Sequence, residues 1–500
     1  MKTDIAIVGA GPAALAAADV LASFAVDVTL IDEQPAAGGQ IFRQPPARFR
    51  VTRWLPERIY RPGKALLARV SASERLHWKF GTTVLGVAEN RRASVSALSL
   101  AGADASARRL SAASASEAGA SALAYSLTLA GRGAIERLDA EQVLVAPGCY
   151  DMPVCFPGST LPGVMAAGGI QAFVKSQQLI PGGRFVFVGT HPLQLIAADQ
   201  IRRAGGDVAE VIFAQGFTRF IRASASLDML GHAGKLAYIA GVLARLRSAG
   251  VSVRFGETIV AASGESSLSA VTVARVGASG AIERDSRRQI RCDRLGLCFG
   301  FLASSELARQ AGVRHRWLGD GGGWVSECDE WMGTNKPGLF VAGEITGVAG
   351  ADAAMEAGRL AAYGLLRERG LLAPQAAERM AAPIRRRLRR FKNFARRLRA
   401  MSDPGWPLLE QMLTADTVVC KCEEVTAGAL ADFLAKNPAA RNANAVKLGC
   451  RVGMGLCQGR YCNYYLAQLL ARRAGLTPAD VGPFTAQWPA KPVRIGSIAR

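Results

Sequence analysis

The sequence predicts an α/β protein in which one Rossmann-like dinucleotide fold is inserted within another and a small, mainly helical domain follows. Three observations carry this prediction. A strand, a glycine turn and a helix open the chain at residues 4–32, and the same pattern begins again at Arg184. Four cysteines lie between residues 413 and 480. Alternation of strands and helices is typical of parallel sheets that are covered by helices.

Length and cysteine usage indicate several domains in a reducing compartment. The 500 residues exceed what one hydrophobic core supports. The 10 cysteines are too widely spread for a secreted disulfide framework, so we expect a cytoplasmic protein. The apolar stretch 5–26 contains Asp19 and a glycine turn, which argue against a signal peptide. The uncharged stretch 152–174 contains three prolines and four glycines, so no integral membrane segment is expected there.

The first strand–turn–helix unit predicts a dinucleotide site. Gly9 permits the tight turn, Gly11 lets the backbone approach a pyrophosphate, and Ala14 keeps the helix close to the sheet. Asp32 and Glu33 end the second strand, and one of these carboxylates is expected to accept hydrogen bonds from the ribose; the register favours Asp32.

A second glycine turn, Gly38-Gly39-Gln40, is expected to approach the same pocket. Over residues 1–45, 143–148 and 339–360 the chain resembles flavoproteins of the glutathione-reductase-like superfamily. The resemblance implies FAD rather than NAD at this first site. It also implies that Gly343 and Glu344 approach the ribityl chain, although Glu344 stands where that superfamily usually has Asp.

The second unit carries a damaged turn. It reads Gly189-Thr190-His191-Pro192-Leu193-Gln194, with His191 and Gln194 in place of the second and third glycines. A side chain at the His191 position blocks the approach of a pyrophosphate, and Gln194 pushes the helix off the strand. We therefore expect a dinucleotide fold without a bound nicotinamide cofactor.

The four cysteines near the C-terminus, Cys420, Cys422, Cys457 and Cys462, predict a metal centre. They form C-K-C and, 34 residues later, C-Q-G-R-Y-C. Four thiolates hold an iron–sulfur cluster, and the C-x-C pair is tighter than the C-x₂₋₄-C pairs of most structural zinc sites, which remain the alternative.

Residues around these cysteines suit a negatively charged centre. Gly453 and Gly455 let backbone N–H groups reach sulfur. Lys421, Arg451 and Arg460 are expected to offset the charge of the thiolates. The fifth nearby cysteine, Cys450, lies outside both pairs and is interpreted as a buried thiol.

These motifs, with P-G-V-M-A-A-G-G-I-Q-A-F at 162–173 and G-G-Q-I-F-R-Q-P-P at 38–46, resemble one protein family. The C-terminal part is similar to bacterioferritin-associated-ferredoxin-like [2Fe-2S] domains. The whole resembles the large (α) subunits of bacterial amine-oxidising complexes, a group that includes opine oxidase, hydrogen cyanide synthase and D-hydroxyproline dehydrogenase. The resemblance implies FAD and a [2Fe-2S] cluster here. It also implies a partner β subunit related to D-amino-acid oxidases, which oxidises the amine, and in some relatives an FMN between subunits.

The predicted function is therefore an electron-transfer subunit of an amine dehydrogenase that acts on an opine, hydroxyproline or a similar amine. The four histidines are scattered and no redox-active cysteine pair lies beside the flavin loop, so no catalytic acid or base is assigned. A self-sufficient NAD(P)H-dependent flavin and iron–sulfur oxidoreductase is the alternative, and a zinc-bound interaction module is the non-enzymatic one.

The net charge of +21 suits an acidic partner, an anionic membrane surface or nucleic acid. Nine basic residues and no acidic one lie from Arg385 to Arg399, with apolar residues at helical spacing from Ile384 to Leu398. We interpret this segment as an amphipathic helix with its apolar stripe on the protein body. An acidic acceptor protein, or peripheral contact with a membrane that holds the respiratory chain, stays open. Nucleic acid is not predicted, because no reading helix or aromatic platform accompanies the charge.

The predicted organisation has six segments. They are the first FAD-binding part at 1–160 with an Ala/Ser-rich insertion near 103–122, the degenerate dinucleotide fold at 161–296, the second FAD-binding part at 297–375, a basic helical connector at 376–412, the [2Fe-2S] domain at 413–480 and a tail at 481–500.

Overall fold

A computed structural model of the chain shows the predicted α/β architecture. The structure describes residues 1–43, 45, 61–90, 124–131, 133–224, 229 and 231–498. The Ala/Ser-rich insertion predicted near 103–122 lies outside the described residues, as do Gln44 and Pro46 of the 38–46 motif.

The described chain contains the following strands and α-helices. The strands are β1 (Lys2–Val8), β2 (Val28–Asp32), β3 (Leu76–Phe80), β4 (Thr83–Glu89), β5 (Tyr125–Ala130), β6 (Ile135–Val145), β7 (Cys149–Asp151), β8 (Val164–Ala166), β9 (Arg184–Gly189), β10 (Asp207–Phe213), β11 (Ser252–Phe255), β12 (Glu257–Ser263), β13 (Ala270–Val276), β14 (Ile282–Arg291), β15 (Arg294–Cys298), β16 (Phe301–Ala303), β17 (His315–Trp317), β18 (Trp324–Ser326), β19 (Leu339–Val341), β20 (Val418–Cys420) and β21 (Val425–Thr426). The α-helices are α1 (Pro12–Leu21), α2 (Arg61–Ser71), α3 (Ala167–Ala172), α4 (Leu193–Arg203), α5 (Phe217–Ser224), α6 (Ala233–Ser248), α7 (Glu306–Gln310), α8 (Ala351–Glu368), α9 (Pro374–Ser402), α10 (Trp406–Gln411), α11 (Ala427–Lys436), α12 (Ala443–Cys450), α13 (Asn463–Ala474), α14 (Pro478–Val481) and α15 (Ile495–Ile498).

The first sheet has the order β3-β2-β1-β6-β5-β4, with β19 also paired to β6. The long strand β6 joins the parallel part of this sheet to its antiparallel part. Its C-terminal half pairs in parallel with β1 and β19, and its N-terminal half pairs antiparallel with β5. Helices α1 and α8 cross closely beside this sheet, because Gly358 on α8 has no Cβ; one there would lie 2.0 Å from the Ala13 oxygen. The N-terminus of α1 is thus fixed against the sheet.

The second fold is inserted between β6 and β19. Its parallel sheet has the order β11-β10-β9-β15-β8, and β12, β13 and β14 form an antiparallel sheet beside it. Strand β15, residues 294–298, belongs to this second sheet. The predicted limit at residue 296 is therefore too early, because the apolar run at 295–302 spans both the end of β15 and the return to the first fold.

The C-terminal part begins with the basic helix α9. Ile384, Leu388 and Ala395 are buried, and Arg387 pairs with Glu356 of α8 at 3.0 Å. The apolar stripe of the helix thus packs on the protein body, as predicted. Among the residues that the structure describes, no helix combines the length and apolar character needed to cross a bilayer.

The cysteine-bearing domain consists of the β20–β21 hairpin and helices α11 to α13. It shares one continuous hydrophobic core with the antiparallel sheet of the second fold. The Cys155 N–H donates to the Tyr465 hydroxyl at 3.0 Å, and Lys421 Nζ donates to the Ser159 oxygen at 2.8 Å. These contacts fix the domain against residues 155–159, which lie between β7 and β8.

Candidate functional site

The first glycine turn joins β1 to α1 in a shape that only glycine can adopt. Gly9 has φ +102°, and a Cβ there would lie 2.4 Å from the Ala146 oxygen. The second turn lies against it, because a Cβ on Gly39 would be 2.8 Å from the Gly11 Cα. Ala14 is fully buried beneath the turn. Exposed backbone at a helix N-terminus is the arrangement that binds a pyrophosphate.

Gly38 and Gln40 occupy different positions in the second turn. The Gly38 N–H donates to the Ala10 oxygen at 2.8 Å and so ties the two turns together. The Gln40 side chain is exposed, and its Oε1 accepts from Arg43 Nη2 at 2.8 Å. The backbone of this turn therefore lies against the first glycine turn, while the Gln40 amide faces Arg43.

The two candidate ribose carboxylates differ in what they contact. Asp32 Oδ2 accepts from the Ala10 N–H at 2.6 Å, and Oδ1 accepts from the Gln34 N–H at 2.7 Å. Burial raises the pKa of Asp32, and these two backbone bonds oppose that rise. Glu33 is exposed and pairs with Lys491 of the C-terminal segment. Asp32 thus holds the glycine turn in shape, and its role at a ribose stays a prediction.

Gly343 and Glu344 follow β19 and lie close to the first turn. Gly343 has φ +83°, and a Cβ there would be 3.0 Å from the Ala13 Cβ. Glu344 Oε1 accepts from the Gly350 N–H at 2.7 Å, at the start of α8. Burial raises the pKa of Glu344, opposed by the bonds from this backbone. The longer side chain therefore reaches and caps the loop before α8.

A cavity of about 100 Å³ opens beside the first turn. Its wall comes from distant parts of the chain. The residues that line it are Val8, Gly9, Ile31, Asp32, Glu33, Thr82, Thr83, Val84, Pro147, Ser304, Glu306, Leu307, Arg460, Ala490 and Lys491. Its position beside Gly9 and both carboxylates suits the adenosine end of a dinucleotide. Sequence reasoning missed the contributions of Glu306, Ala490 and Lys491, since no local motif marks them.

The turn of the inserted dinucleotide fold, residues 189–194, is closed by its own side chains. His191 Nδ1 accepts from the Leu193 N–H at 3.2 Å, so the imidazole occupies the N-terminus of α4. Burial lowers the pKa of His191 to about 4, which keeps the ring neutral. Gln194 is fully buried, and its Nε2 donates to the Ile212 oxygen at 3.3 Å. The N–H groups of Thr190, His191, Leu193 and Gln194 all donate to acceptors within the protein, so none of them is free to bind a phosphate.

The four predicted cysteine ligands meet as two pairs. The Cys462 thiol donates a hydrogen bond to Cys420 Sγ, which lowers the pKa of Cys420 to about 6 and raises that of Cys462. The Cys457 side chain hydrogen-bonds to Cys422, while burial is the main cause of the raised pKa of Cys457. In the described parts of the chain, no three His, Cys, Asp or Glu side chains converge as one metal ion would require. Two pairs suit a [2Fe-2S] cluster, in which each iron takes two protein ligands.

Backbone groups, rather than cations, surround these thiols. The Gly453 N–H donates to Cys420 Sγ at 3.4 Å, as predicted. Gly455 lets the loop contact Cys422, because a Cβ there would lie 2.2 Å from the Cys422 Cβ. Cys450 Sγ donates to the Val446 oxygen at 3.2 Å within α12, which is consistent with a thiol outside the pairs.

The predicted supporting cations have other partners. Lys421 contacts the Ser159 oxygen, Arg451 pairs with Glu423 at 2.8 Å, and Arg460 Nε lies 3.6 Å from Glu306 Oε2. These contacts fix the position of the cysteine loops. That the three positive charges lower the electrostatic cost of the thiolates stays a prediction.

Comparison with known proteins agrees with this geometry. Residues 3–358 match the family model for pyridine nucleotide-disulphide oxidoreductases, and residues 418–472 match that for the BFD-like [2Fe-2S] binding domain. These matches imply a flavin and a [2Fe-2S] cluster. The crystal structure of L-proline dehydrogenase from P. horikoshii has a TM-score of 0.69 and 18% identity, covering 100% of this chain and 80% of that one, which shows the same fold.

Two relatives align with nearly the whole chain. Hydrogen cyanide synthase subunit HcnB of Pseudomonas aeruginosa is 30% identical over 494 residues, or 98% of this chain and 97% of the relative. An opine oxidase subunit of Rhizobium meliloti is 30% identical over 513 residues, or 99% and 87%. The chain therefore belongs to the pyridine nucleotide-disulphide oxidoreductase family, among the flavin- and [2Fe-2S]-containing oxidoreductase subunits that include HcnB and its opine oxidase counterpart.

Proposed function

We propose that this chain is the electron-transfer subunit of a multi-subunit amine dehydrogenase, with FAD at the first glycine turn and a [2Fe-2S] cluster on the four cysteines. The observation that carries the proposal is that Arg460, in the loop between Cys457 and Cys462, also lines the cavity beside the first glycine turn. When bound, a flavin accepts electrons in pairs and a [2Fe-2S] cluster passes them on singly.

The residues of this chain would bind the two cofactors and shield part of the cluster from solvent. Gly9, Gly11 and Gly39 open the backbone toward a pyrophosphate, and Glu33 is placed to meet the ribose. Cys420 and Cys462 are each 1% exposed, whereas Cys422 is exposed. A cluster on these four ligands would have one covered edge and one edge open to an acceptor.

The donor class follows from the family. The opine oxidase relative supports an opine or a similar secondary amine as the source of electrons. The family resemblance predicts a β subunit related to D-amino-acid oxidases as the site of amine oxidation, with room for an FMN between subunits. Thiolate ligands need a reducing compartment, so we place the complex in the cytoplasm, with an acceptor protein or the membrane respiratory chain receiving the electrons.

A self-sufficient NAD(P)H oxidoreductase is the second candidate. It would require a nicotinamide cofactor at the turn formed by residues 189–194. There His191 caps α4, and Gln194 fills the space under the helix. These contacts favour the electron-transfer function over this alternative.

Anaerobic titration separates the two functions. We expect dithionite to deliver about three electrons per chain, two to the flavin and one to the cluster. Neither NADH nor an amine should bleach the isolated chain. An opine or hydroxyproline should bleach it once the β subunit related to D-amino-acid oxidases is added.

The variant Cys462→Ser, titrated with FAD in excess, is the matched control, since it should accept the two electrons of the flavin and lose the electron of the cluster. Rapid bleaching of the isolated chain by NADH would establish the alternative, and a chain that binds zinc and no iron would contradict the proposal.

A further inference from the structure

The C-terminal tail, defined as residues 482–498, crosses from the cysteine-bearing domain to the first fold. The tail begins on the cysteine domain, where Phe484 lies beneath Gly459; a Cβ on Gly459 would be 2.2 Å from the Phe484 ring. It then reaches the first sheet, where the Ala490 N–H donates to the Leu85 oxygen at 2.7 Å. Ala490 is 3% exposed within the core of that sheet. The tail therefore packs into the core of the first fold.

The end of this crossing forms a wall of the dinucleotide cavity. Ala490 and Lys491 line the cavity, and Lys491 pairs with Glu33 at the end of β2. Because Glu33 lies where a ribose carboxylate is expected, Lys491 is placed at the adenosine end of the pocket.

The loop between two cysteine ligands holds the tail in this position. Arg460 Nη2 donates to the Ala490 oxygen at 2.5 Å, and Gln458 Nε2 donates to the Pro489 oxygen at 2.7 Å. Arg460 Nη1 also donates to the Cys457 oxygen at 3.1 Å, and the Arg460 side chain lines the cavity. One side chain thus contacts a ligand residue, the tail and the pocket.

We propose that the tail closes the adenosine end of the FAD pocket and that Arg460 couples its position to the state of the cysteine loop, so that cluster assembly and FAD binding strengthen each other. This inference rests on the proposed function for the identity of the two cofactors. Coupling of this kind is reciprocal in free energy, so bound FAD should also stabilise the assembled cluster to the same extent.

Equilibrium binding of FAD to the flavin-free chain tests whether the tail closes the pocket. Quenching of flavin fluorescence measures the binding. A chain that ends at Thr485 keeps Phe484 and loses Ala490 and Lys491. We expect this truncation and Lys491→Ala each to raise the Kd for FAD by about tenfold with iron and sulfide content unchanged. Arg494→Ala, an exposed tail position, is the matched control and should leave the Kd unchanged.

The coupling is tested by comparing cluster-loaded and cluster-free protein. We expect cluster-free wild type to bind FAD roughly 5- to 150-fold more weakly than the loaded form. Arg460→Gln should remove most of that difference, whereas Arg451→Gln, in the same loop and paired with Glu423, should retain it.

The outcomes separate this inference from the proposed function. A wild type that binds FAD with a Kd unaffected by truncation, by Lys491→Ala and by the cluster would overturn the inference and leave the proposed function intact. A wild type that binds no FAD would overturn both.

Discussion

Asp32 accepts a hydrogen bond from the Ala10 N–H at 2.6 Å, so the carboxylate at the end of β2 holds the glycine turn that begins α1. Its second oxygen accepts from the Gln34 N–H. The neighbouring Glu33 is exposed, lines the cavity and pairs with Lys491. We therefore propose separate tasks for the two adjacent carboxylates, with Asp32 holding the turn and Glu33 meeting the ligand.

Substitution of these two acids should give different results. Asp32→Ala leaves two backbone N–H groups without their acceptor, and bonds to a charged group are worth about 1.5–3 kcal/mol each. We expect a lower thermal midpoint and weaker FAD binding. Glu33→Ala should weaken FAD binding and leave the thermal midpoint within about 1 °C, because its ion pair is exposed. Calorimetry of the flavin-free chain together with FAD titration measures both, and equal thermal losses would contradict this division.

The cysteines should separate into ligands and a bystander. Cys462→Ser and Cys422→Ser each break one pair, so we expect iron and labile sulfide to fall to a small fraction of the wild-type content. Cys450→Ser should retain both, since the Cys450 thiol bonds within α12 and a hydroxyl can make the same bond. Iron and sulfide assays with circular dichroism of each variant provide the measurement. Loss of the cluster in Cys450→Ser would show that the pairing assigned here is wrong.

Two glycines with similar backbone angles offer a test of packing beneath the cysteine loop. Gly459 (φ +82°) would place a Cβ 2.2 Å from Phe484, whereas Gly475 (φ +64°) has open space around it. Alanine at either position incurs backbone strain of about 1–2 kcal/mol. Gly459→Ala should incur roughly 1–3 kcal/mol more through overpacking.

The readout for this pair is the thermal midpoint for loss of iron–sulfur absorbance. It should fall clearly further for Gly459→Ala than for Gly475→Ala. Equal midpoints would mean that Phe484 moves away without cost and that the tail is not fixed there.

Local patterns predicted much of this molecule, and contacts across long chain separations escaped them. Both strand–turn–helix units, the two short cysteine motifs and the apolar stripe of α9 are visible in spacings of a few residues. The pairing of Cys420 with Cys462 and of Cys457 with Cys422, which joins the two motifs, is not. Lys491 and Glu33, by contrast, are 458 positions apart. Nothing in the composition of the tail signals that it crosses two domains. The charges near the cysteines were read as local for the same reason, and the partner of Arg460, Glu306, lies on another fold.

A buried carboxylate predicts how stability depends on pH. Asp151, at the end of β7, accepts from the Gly168 N–H at 3.2 Å, and burial raises its pKa to about 6. The unfolded chain therefore loses this proton at lower pH than the folded chain does. Stability falls as pH rises from about 4 to about 6 and stays lower above that, by at most roughly 3 kcal/mol.

Asp151→Asn should remove this dependence, because the amide oxygen can still accept from Gly168 and carries no charge. We expect its thermal midpoint to exceed that of the wild type by several degrees at pH 8 and to approach it near pH 4. Asp293 is the matched control, because its pKa is shifted in the opposite direction. Although burial alone would raise its pKa, bonds from the Gly183 and Arg184 N–H groups hold it below the usual value. Asp293→Asn should therefore lose stability at pH 8 and recover toward the wild type as the pH falls below about 4. Midpoints for Asp151→Asn that track the wild type across this range would show that the Asp151 carboxylate is solvated and ionises normally.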